Sequence, residues 1–488
     1  MPANVTTQER DHWNVIHQLE LRVTKVLNVL MMALPFIAAW HLYYAKHVSS
    51  PYYFWGNVLV DALFVIFYTV FGRIYSAFLI SLNRISELIY SQVLAALISD
   101  FFMYIIVWLL TKHLPSVVPM LAIIAAQILM SVIWSFGAHK WYFHYFKPIR
   151  TVVVWDMRNG DAMGNMLKQY GLDKRFKVTA TPTIKECLKS KEDILAGAQA
   201  VMLCGIHSHD RNIIIKYCVE KSIRVYVIPR VGDMIMESAR PIHMLHLPML
   251  MVERYNPSPI YLFGKRAFDI VVSVIALVIL SPLMLIVAII IKATDGGTVF
   301  YRQCRLTRNR KRFFVLKFRS MRMDAEKDGV ARLSTGDKDD RITPIGHFIR
   351  ACRIDELPQL INILKGEMSI VGPRPERPEI AREYERVMPE FSLRLQAKAG
   401  LTGYAQVFGK YNTTPYDKLL MDLQYIAKPS FATDLKIMFA TVKILFMPES
   451  TEGVATGQTT AADSENKTSR TEKWENGANL GQIEQKMG

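Results

Sequence analysis

Residues 350–376 read RACRIDELPQLINILKGEMSIVGPRPE, and the rest of the chain is organised around this stretch. Two acids, Asp355 and Glu356, stand side by side before apolar residues that recur at helical spacing. The Gly-Pro-Arg-Pro motif at 372–375 then ends the predicted helix and turns the chain. Such an acidic pair suits the first turn of a helix, where the dipole favours negative charge. It also suits a site in which carboxylates, a metal ion and an anionic phosphate neutralise one another.

Composition points to a membrane protein with an anionic ligand. The chain has 488 residues, too many for one ordinary domain, and 51% of them are hydrophobic. Its formal net charge of +16 fits basic cytoplasmic flanks around apolar spans. A nucleic acid would account for the charge but not for the apolar runs, so no nucleic-acid partner is expected. The five cysteines lack metal-ligand spacing and are expected to be reduced thiols.

The N-terminal part predicts four transmembrane helices within 21–146, preceded by a polar arm at 1–20. Four apolar runs each approach the ~20 residues that span a bilayer. These runs cover 26–44, 54–72, 88–110 and 116–136. Lysines and arginines concentrate in the flanks and loops that put both ends of the bundle in the cytoplasm. Asp61 and Asp100 are expected at the membrane interfaces.

Residues 147–260 have the pattern of a parallel α/β domain. Buried-strand patterns at 150–155, 200–205 and 224–229 alternate with polar, helix-compatible stretches. The loop at 156–164 lacks the first glycines that let a backbone approach a pyrophosphate. The sequence therefore predicts a Rossmann-like domain with a degraded nucleotide motif that binds no nicotinamide cofactor and acts as a structural or regulatory module.

A second hydrophobic feature opens the segment 261–448. The apolar run at about 265–292 is long enough to span a membrane, yet Ser281 and Pro282 lie in its middle and positive charge flanks both ends. Because proline kinks a helix, the run can enter the membrane, bend and return. By hydropathy alone a plain span is the alternative, and it would place the acid pair outside the cell. The polar residues 449–488 predict a disordered tail.

Five motifs in order carry a resemblance to a known family. They are Lys265-Arg266-Ala267-Phe268-Asp269, Ser281-Pro282, Lys317-Phe318-Arg319-Ser320-Met321, Asp355-Glu356-Leu357-Pro358-Gln359-Leu360 and Val371-Gly372-Pro373-Arg374-Pro375. Over about 262–447 the chain resembles the bacterial sugar transferase family, the monotopic polyprenyl-phosphate phosphoglycosyl transferases. With the preceding spans and α/β domain, it resembles the large form that initiates exopolysaccharide, capsule or O-antigen synthesis.

The resemblance implies a fold of mixed class. It consists of a membrane α-helical bundle of four N-terminal helices, a Rossmann-like parallel α/β domain, and a monotopic catalytic domain with a re-entrant helix hairpin and interfacial amphipathic helices. The implied activity transfers a sugar-1-phosphate, expected to be a hexose-1-phosphate, from a UDP-sugar to undecaprenyl phosphate and releases UMP. The implied setting is the bacterial inner membrane, where a multi-pass homodimer contacts membrane lipid and its active site, which uses Mg²⁺, faces the cytoplasm.

The resemblance also implies roles for individual residues. Asp355 would be the nucleophile and Glu356 a Mg²⁺ ligand, with Lys317 and Arg350 completing the catalytic set. Ser281 and Pro282 would shape the hairpin. The substrate-binding candidates are Arg319, Arg353, Arg374, Lys398, Gln406, Asp422 and Asp434.

Four short stretches depart from the family's pattern. Lys398-Ala399-Gly400 replaces Arg-Pro-Gly, Tyr404 replaces Trp, Gly409-Lys410-Tyr411 replaces Gly-Arg-Asn, and Thr307 replaces Gly. These changes keep the cationic side chains, and they leave the nucleotide-sugar specificity undetermined.

The chemistry suits these residue types. An aspartate with a pKa near ~3.9 is ionised at neutral pH and needs no general base to attack phosphorus. Two unit charges ~4 Å apart repel by about 4 kcal/mol at an effective dielectric of about 20, which Lys317, Arg350 and Arg374 would offset. Taken alone, Lys317 and Arg319 could instead end a strand facing solvent, and Asp434 could cap a helix.

Two other function classes stay open on the sequence. A membrane-anchored NAD-dependent sugar-nucleotide dehydratase would place the chemistry in 150–260 and require an intact glycine fingerprint. A non-catalytic scaffold for polysaccharide assembly would leave Asp355 and Glu356 free to vary.

Overall fold

The structure, a computed structural model, describes residues 7–50, 52–156, 163, 165, 167–168, 171–322, 341–409 and 413–445. The expected tail at 449–488, most of the loop at 156–164 and the departure at Lys410-Tyr411 lie outside these residues. The chain forms two compact units, Met1–Ile228 and Pro229–Gly488.

The first unit begins with long apolar helices. They are α1 (Thr7–Leu42), α2 (Phe54–Ile74), α3 (Ile85–Thr111) and α4 (Val118–Tyr145). Among the described residues, five helical segments of the chain are long and apolar enough to cross a membrane, and four of them lie here. This confirms the predicted group of apolar N-terminal helices. Helix α1 already begins at Thr7, so part of the polar arm is helical.

Aromatic and polar contacts join these helices. Phe36 stacks on Phe64 with ring centroids 4.8 Å apart, and the Tyr68 hydroxyl donates to Asn28 at 3.0 Å. Asp100 is 2% exposed, and the amide of Gln127 lies 3.5 Å from its carboxylate. Asp100 is therefore buried between helices, because its face of α3 packs against the neighbouring helices.

The α/β part of this unit is a four-stranded parallel sheet. Its strands are β1 (Ile149–Trp155), β2 (Phe176–Ala180), β3 (Ala200–Cys204) and β4 (Arg224–Val227), in the order β2-β1-β3-β4. Helices α5 (Ile184–Lys189), α6 (Lys191–Ile194) and α7 (Ser208–Glu220) alternate with the strands. Consecutive valines of β1 are buried in hydrophobic clusters on both faces, as expected of a parallel strand covered on both sides. The predicted parallel α/β region is confirmed.

The second unit opens with helix α8 (Val231–Glu237) and the antiparallel hairpin β5 (Arg240–Met244) and β6 (Leu247–Met251). Helix α9 (Pro259–Asp295) follows, with mean hydropathy up to 3.2. The helix is continuous through Ser281 and Pro282, and the Ser281 hydroxyl donates to the Val278 carbonyl at 2.9 Å.

Short elements then build a compact core. They are β7 (Phe300–Leu306), β8 (Arg312–Phe318), α10 (Pro344–Ala351), α11 (Gln359–Lys365), β9 (Ser369–Val371), α12 (Pro378–Val387), β10 (Gly400–Thr402), α13 (Tyr404–Phe408), α14 (Pro415–Ala427) and α15 (Phe431–Leu445). Strands β7 and β8 pair antiparallel, and β9 and β10 pair parallel. Ile363, Met368, Leu419 and Ile437 are fully buried where these elements meet.

Charged residues at the start of α9 clamp this helix to the core. Arg266 donates to two carbonyls at the C-terminal end of α11, at 2.6 and 2.8 Å. Asp269 accepts from the backbone N–H of Ile370 in β9 at 3.0 Å, and Lys265 lies 2.8 Å from Asp434 in α15. The motif at 265–269 is thus a structural clamp, because its three charged side chains bind partners on three different elements. We call it the α9 clamp.

Candidate active site

The acid pair lies on a tight turn rather than on a long helix. Arg353 has a left-handed backbone (φ 57°), and a 3₁₀ turn, Ile354–Glu356, follows it. The prediction of one helix running to Gly372 is wrong. Helix α11 ends at Lys365, and Gly366 caps it with a φ of 81°, which glycine adopts readily; β9 then precedes the Gly-Pro-Arg-Pro motif. The turn leaves both acids largely buried beside β8.

Glu356 is held by two cations. The Lys317 ammonium at the end of β8 donates to Oε1 at 2.6 Å, and the Arg374 guanidinium lies 3.4 Å from the same oxygen. Burial alone would raise the pKa of Glu356, but Lys317 and Arg374 hold that pKa well below its usual range. The Glu356 charge in turn raises the pKa of Arg374. Glu356 is therefore a carboxylate.

Asp355 differs from its neighbour. It is 8% exposed, and no hydrogen bond or ion pair within the described part of the chain engages its carboxylate. Burial and the Glu356 charge raise its pKa, while the charges of Lys317, Arg350 and Arg353 oppose that rise. Asp355 is thus a buried carboxyl group surrounded by cations and not bound by any of them.

One buried asparagine fixes Lys317 against the acid turn. Asn362 in α11 is 1% exposed. Its side chain accepts from the N–H of Leu316 at 2.9 Å and donates to the carbonyl of Phe314 at 2.8 Å. Because these are neighbours of Lys317 on β8, Asn362 sets the register between strand and turn. Sequence reasoning missed this residue, and its only signal is a polar side chain inside an apolar helix.

The loop that carries Arg374 is fixed along its backbone. Four successive carbonyls, at 373–376, each accept a hydrogen bond from another element. The donors are the backbone N–H of Gly400 at 2.9 Å, the side chain of Arg394 at 2.9 Å, the side chain of Arg305 at 3.1 Å and the backbone N–H of Leu306 at 3.0 Å. Arg374 is therefore presented to Glu356 by a backbone with little freedom.

A buried ion pair stands behind this loop. Arg394 is 4% exposed and Asp422 is 1% exposed, and Nε and Nη2 of Arg394 lie 2.8 and 2.6 Å from one oxygen of Asp422. Arg394 also lies 3.4 Å from Glu376. Although burial lowers the pKa of Arg394, Asp422 and Glu376 raise it above its usual value. The structure places Asp422 as a support of the loop, and sequence reasoning missed its partner Arg394.

Close backbone packing explains two glycines of the site. A Cβ at Gly372 would lie 2.3 Å from the Lys398 carbonyl, and one at Gly400 would lie 2.1 Å from the Gly372 nitrogen. Only glycine allows these two segments to approach so closely.

Three of the predicted substrate-binding residues lie away from the acid pair's direct contacts. Asp434 accepts from Tyr261, Lys265 and Tyr425, each at 2.8 Å. Burial and the charge of Arg266, at the α9 clamp, lower the pKa of Lys398. Gln406 donates to a nearby carbonyl at 3.2 Å, and its own oxygen is buried without a hydrogen-bond partner among the described residues.

The remaining predicted residues lie on α10, at the start of the acid turn and just beyond β8. Arg350 and Arg353 act on Asp355 through charge, and Arg319 is 7% exposed just beyond the end of β8.

Two residues that depart from the family pattern contact each other. The hydroxyl of Thr307 accepts a hydrogen bond from the N–H of Ala399 at 3.1 Å. Its hydroxyl donates to the Glu367 carbonyl at 3.1 Å.

The donor set is compatible with a magnesium ion that is also bound by substrate. Mg²⁺ is usually held by one or two carboxylates together with waters and substrate phosphates. Asp355 and Glu356 supply adjacent carboxyl groups of this kind. Within the described ranges no group of three or more His, Cys, Asp or Glu side chains could hold a metal. The residues fit an ion shared with a phosphate rather than one enclosed by protein.

Comparisons with known proteins show which family the chain resembles in sequence. The sequence profile described as bacterial sugar transferase matches residues 260–448. The chain is 36% identical over 231 residues to a UDP-N-acetylgalactosamine-undecaprenyl-phosphate N-acetylgalactosaminephosphotransferase of Aeromonas hydrophila, covering 47% of this chain and 53% of the relative. It is 38% identical over 224 residues to an undecaprenyl-phosphate glucose phosphotransferase of Komagataeibacter xylinus, covering 40% and 42%.

The matched region spans about half the length of these two relatives. A shorter relative, exopolysaccharide production protein PSS of Rhizobium leguminosarum bv. phaseoli, is 41% identical over 187 residues, which are 36% of this chain and 92% of the relative. Because a relative more than 30% identical is covered over 92% of its length, and the family profile matches residues 260–448, the chain belongs to the bacterial sugar transferase family.

Proposed function

We propose that this protein transfers a sugar-1-phosphate, specifically a hexose-1-phosphate, from a UDP-sugar to undecaprenyl phosphate and releases UMP. The reaction would be the first membrane step of exopolysaccharide, capsule or O-antigen synthesis. The observation that carries the proposal is the unengaged, buried Asp355 beside a Glu356 already paired with Lys317 and Arg374. The relatives' names support the substrate classes.

The proposed reaction has two displacements at one phosphorus atom. A carboxylate oxygen of Asp355 attacks the β-phosphorus of the UDP-sugar, and the bond from that phosphorus to the bridging oxygen breaks. UMP leaves with the electron pair, and the sugar phosphate stays on Asp355 as an acyl phosphate ester. A phosphate oxygen of undecaprenyl phosphate then attacks the same phosphorus and frees the carboxylate. Both nucleophiles are ionised, so neither step requires a general base.

The protein's cations address the main obstacle, which is the approach of anion to anion. Repulsion of about 4 kcal/mol between unit charges ~4 Å apart is offset by cations fixed before the reaction. Lys317 and Arg374 are fixed by Asn362 and by the bonded loop carbonyls at 373–376. Arg350 and Arg353 add positive charge around Asp355.

Mg²⁺ fits this site as a proposed cofactor. Glu356, with the donor's phosphates, would hold it, and the ion would supply charge neutralisation of the diphosphate. Lys317 would then neutralise Glu356 together with the metal ion, because its ammonium already lies 2.6 Å from that carboxylate.

We place the reaction at the cytoplasmic face of the bacterial inner membrane, in a multi-pass homodimer. Helix α9 would act as the re-entrant hairpin, with Pro282 at its bend and both ends cytoplasmic. This keeps the lipid tail in the bilayer, since extracting it would cost about 0.8 kcal/mol per CH₂ group. The dehydratase alternative finds less support, because the family match covers 260–448 and not the α/β sheet.

A UMP-release assay tests the proposal directly. The full-length protein in lipid nanodiscs is incubated with undecaprenyl phosphate, Mg²⁺ and, in turn, UDP-glucose, UDP-galactose and their N-acetylated counterparts. At least one donor should yield UMP in proportion to enzyme, and Asp355→Asn should not. A folded protein that releases no UMP from any donor contradicts the proposed function.

A further inference from the structure

The second unit contains a cavity of about 830 Å³ that is separate from the acid turn. Its walls come from α8, the open end of the β5–β6 hairpin, the segment 252–258 that leads into α9, the turn at 309–310, the segment 392–396 and the C-terminal end of α14. Neither acid of the turn, nor Lys317 or Arg374, belongs to these walls. Its size lies within the range of about 300–1,000 Å³ that is typical of small-molecule sites. We call it the linker cavity.

Positive charge predominates in the walls of the linker cavity. Three arginines line it, Arg240, Arg254 and Arg310, together with one acid, Glu253. The side chain of Arg254 lies along the wall, because its Nη2 donates to Oδ1 of Asn309, another wall residue, at 2.7 Å. This hydrogen bond uses one of the five N–H groups of the guanidinium and leaves its charge without a counter-ion.

The other two arginines reach the cavity from different elements. Arg240 pairs directly with Met251 in the hairpin, so the two side chains share a face of it, and both residues line the cavity. Within the described part of the chain, Arg240 makes no side-chain hydrogen bond or ion pair. Arg310 lies 3.0 Å from Glu385 and keeps 57% of its side chain exposed. Two of the three arginines therefore have no acidic partner among the described residues.

The backbone at Arg310 is strained. Asn309 and Arg310 both have a left-handed backbone, with φ of 58° and 61°. Asparagine tolerates this conformation, whereas a long side chain such as that of arginine seldom adopts it. Strain of this kind persists mainly at functional sites. An arginine at a position that suits glycine indicates that its side chain has a use at this turn.

Apolar side chains form the rest of the cavity wall. Met234 and Ile235 contribute from α8, and Leu423 and Ile426 contribute from α14. Leu423 and Ile426 are buried members of the hydrophobic core, against which Met234 and Ile235 also pack. A ligand in the cavity would thus meet a fixed apolar surface and guanidinium groups at the same time.

We propose that the linker cavity binds a phosphate group carried on an apolar or aromatic body. Guanidinium groups match phosphate oxygens with two parallel hydrogen bonds, and the apolar wall would hold the attached body. Bound there, the ligand would join α8, the turn at 309–310 and α14 to the segment that leads into α9. This site is additional to the proposed transferase site, and its test measures binding rather than transfer.

Two sources offer this chemistry, an anionic phospholipid of the membrane and a soluble nucleotide. The lipid has a route to the cavity, because the wall segment 252–258 continues into α9. At the start of that apolar helix, Ile260 and Phe263 are 85% and 79% exposed. A nucleotide would reach the cavity from water and place its base on the apolar wall. The experiment has one arm for each source.

The full-length protein is placed in phosphatidylcholine nanodiscs, with phosphatidylglycerol added in one arm and AMP titrated in the other. Native mass spectrometry counts the phosphatidylglycerol or AMP molecules that each chain retains. Arg254→Met and Arg310→Gly should each weaken retention of one probe at least about tenfold, as for a lost charge-assisted contact. Lys311→Met is the control, because Lys311 is exposed and adjacent to Arg310 but does not line the cavity. Its retention should equal that of the unmodified protein.

Arg310→Gly also separates binding from folding. Glycine relieves the left-handed backbone at this turn, so without a probe the variant should melt no lower than the unmodified protein. A loss confined to phosphatidylglycerol assigns the cavity to the lipid, and a loss confined to AMP assigns it to a nucleotide. The proposal is refuted if the unmodified protein retains neither probe, or if the two cavity variants retain both as well as Lys311→Met does.

Discussion

Replacing Asp422 by Asn removes one charge from an ion pair that is almost completely buried. Arg394, 4% exposed, would then keep its charge without its main counter-ion. Removing one partner of such a pair costs about 3–5 kcal/mol. For a folded unit of this size, each kcal/mol lowers the melting temperature by roughly 2–4 °C. We therefore expect Asp422→Asn to lower the melting temperature by about 6–20 °C.

The double variant Arg394→Met with Asp422→Leu separates stability from function. It removes both charges, so it should recover much of the lost stability, because hydrophobic replacement of a buried pair is often neutral. Yet it also removes the hydrogen bond to the Arg374 carbonyl and should keep UMP release low. Melting of nanodisc-embedded protein and the rate of the first half-reaction measure the two effects.

The exposed pair Lys428–Glu237 provides the control, because exposed pairs contribute about 0–1 kcal/mol. Glu237→Gln should leave both melting temperature and rate nearly unchanged. Equal losses of stability in the single and double variants would show that the buried pair does not act as described, and so would a double variant with full activity.

Two further predictions concern the acid turn. The raised pKa of Asp355 means that its attacking, deprotonated form is lost on acidification at a higher pH than for an ordinary carboxyl group. The initial rate of UMP release, measured between about pH 4 and pH 8, should therefore begin to fall above the usual carboxyl range, and a flat profile down to about pH 4 would contradict this. Lys317→Met should slow the same step by at least about a hundredfold, as for the loss of one preorganised electrostatic contact. Lys311→Met on the exposed turn before β8 is its control, and equal rates in the two variants would show that Lys317 is dispensable.

Local patterns predicted several features because those features depend on neighbouring residues. The apolar runs identified the N-terminal helices, and the consecutive valines of β1 identified a strand covered on both faces. The acid pair was recognised because Asp355 and Glu356 are adjacent. Lys317 was predicted from a separate motif, and it lies 39 positions before Glu356 in the sequence. Only the folding of β8 and its contact with Asn362 bring the two side chains together.

The features that the sequence did not predict share a physical cause, since each depends on what packs against a residue. Asp100 is buried because its helix face meets other helices, and the apolar run does not specify that contact. The predicted helix after the acid pair failed because Gly366 adopts a left-handed backbone and Ser369–Val371 pairs with β10. Single polar residues such as Arg394 and Asn362 have no spacing pattern that predicts their partners.

In the proposed reaction Asp355 carries the sugar phosphate covalently, and locating that phosphate on the enzyme tests this role. The full-length protein is incubated with UDP-sugar labelled with ³²P at the β-phosphate, without lipid, then digested and its labelled peptide identified. We expect one equivalent of UMP, label on the peptide that contains Asp355, loss of that label on adding undecaprenyl phosphate, and no label in Asp355→Asn. An enzyme that turns over with lipid, yet carries no label on that peptide and releases no UMP without lipid, would contradict a covalent role of Asp355.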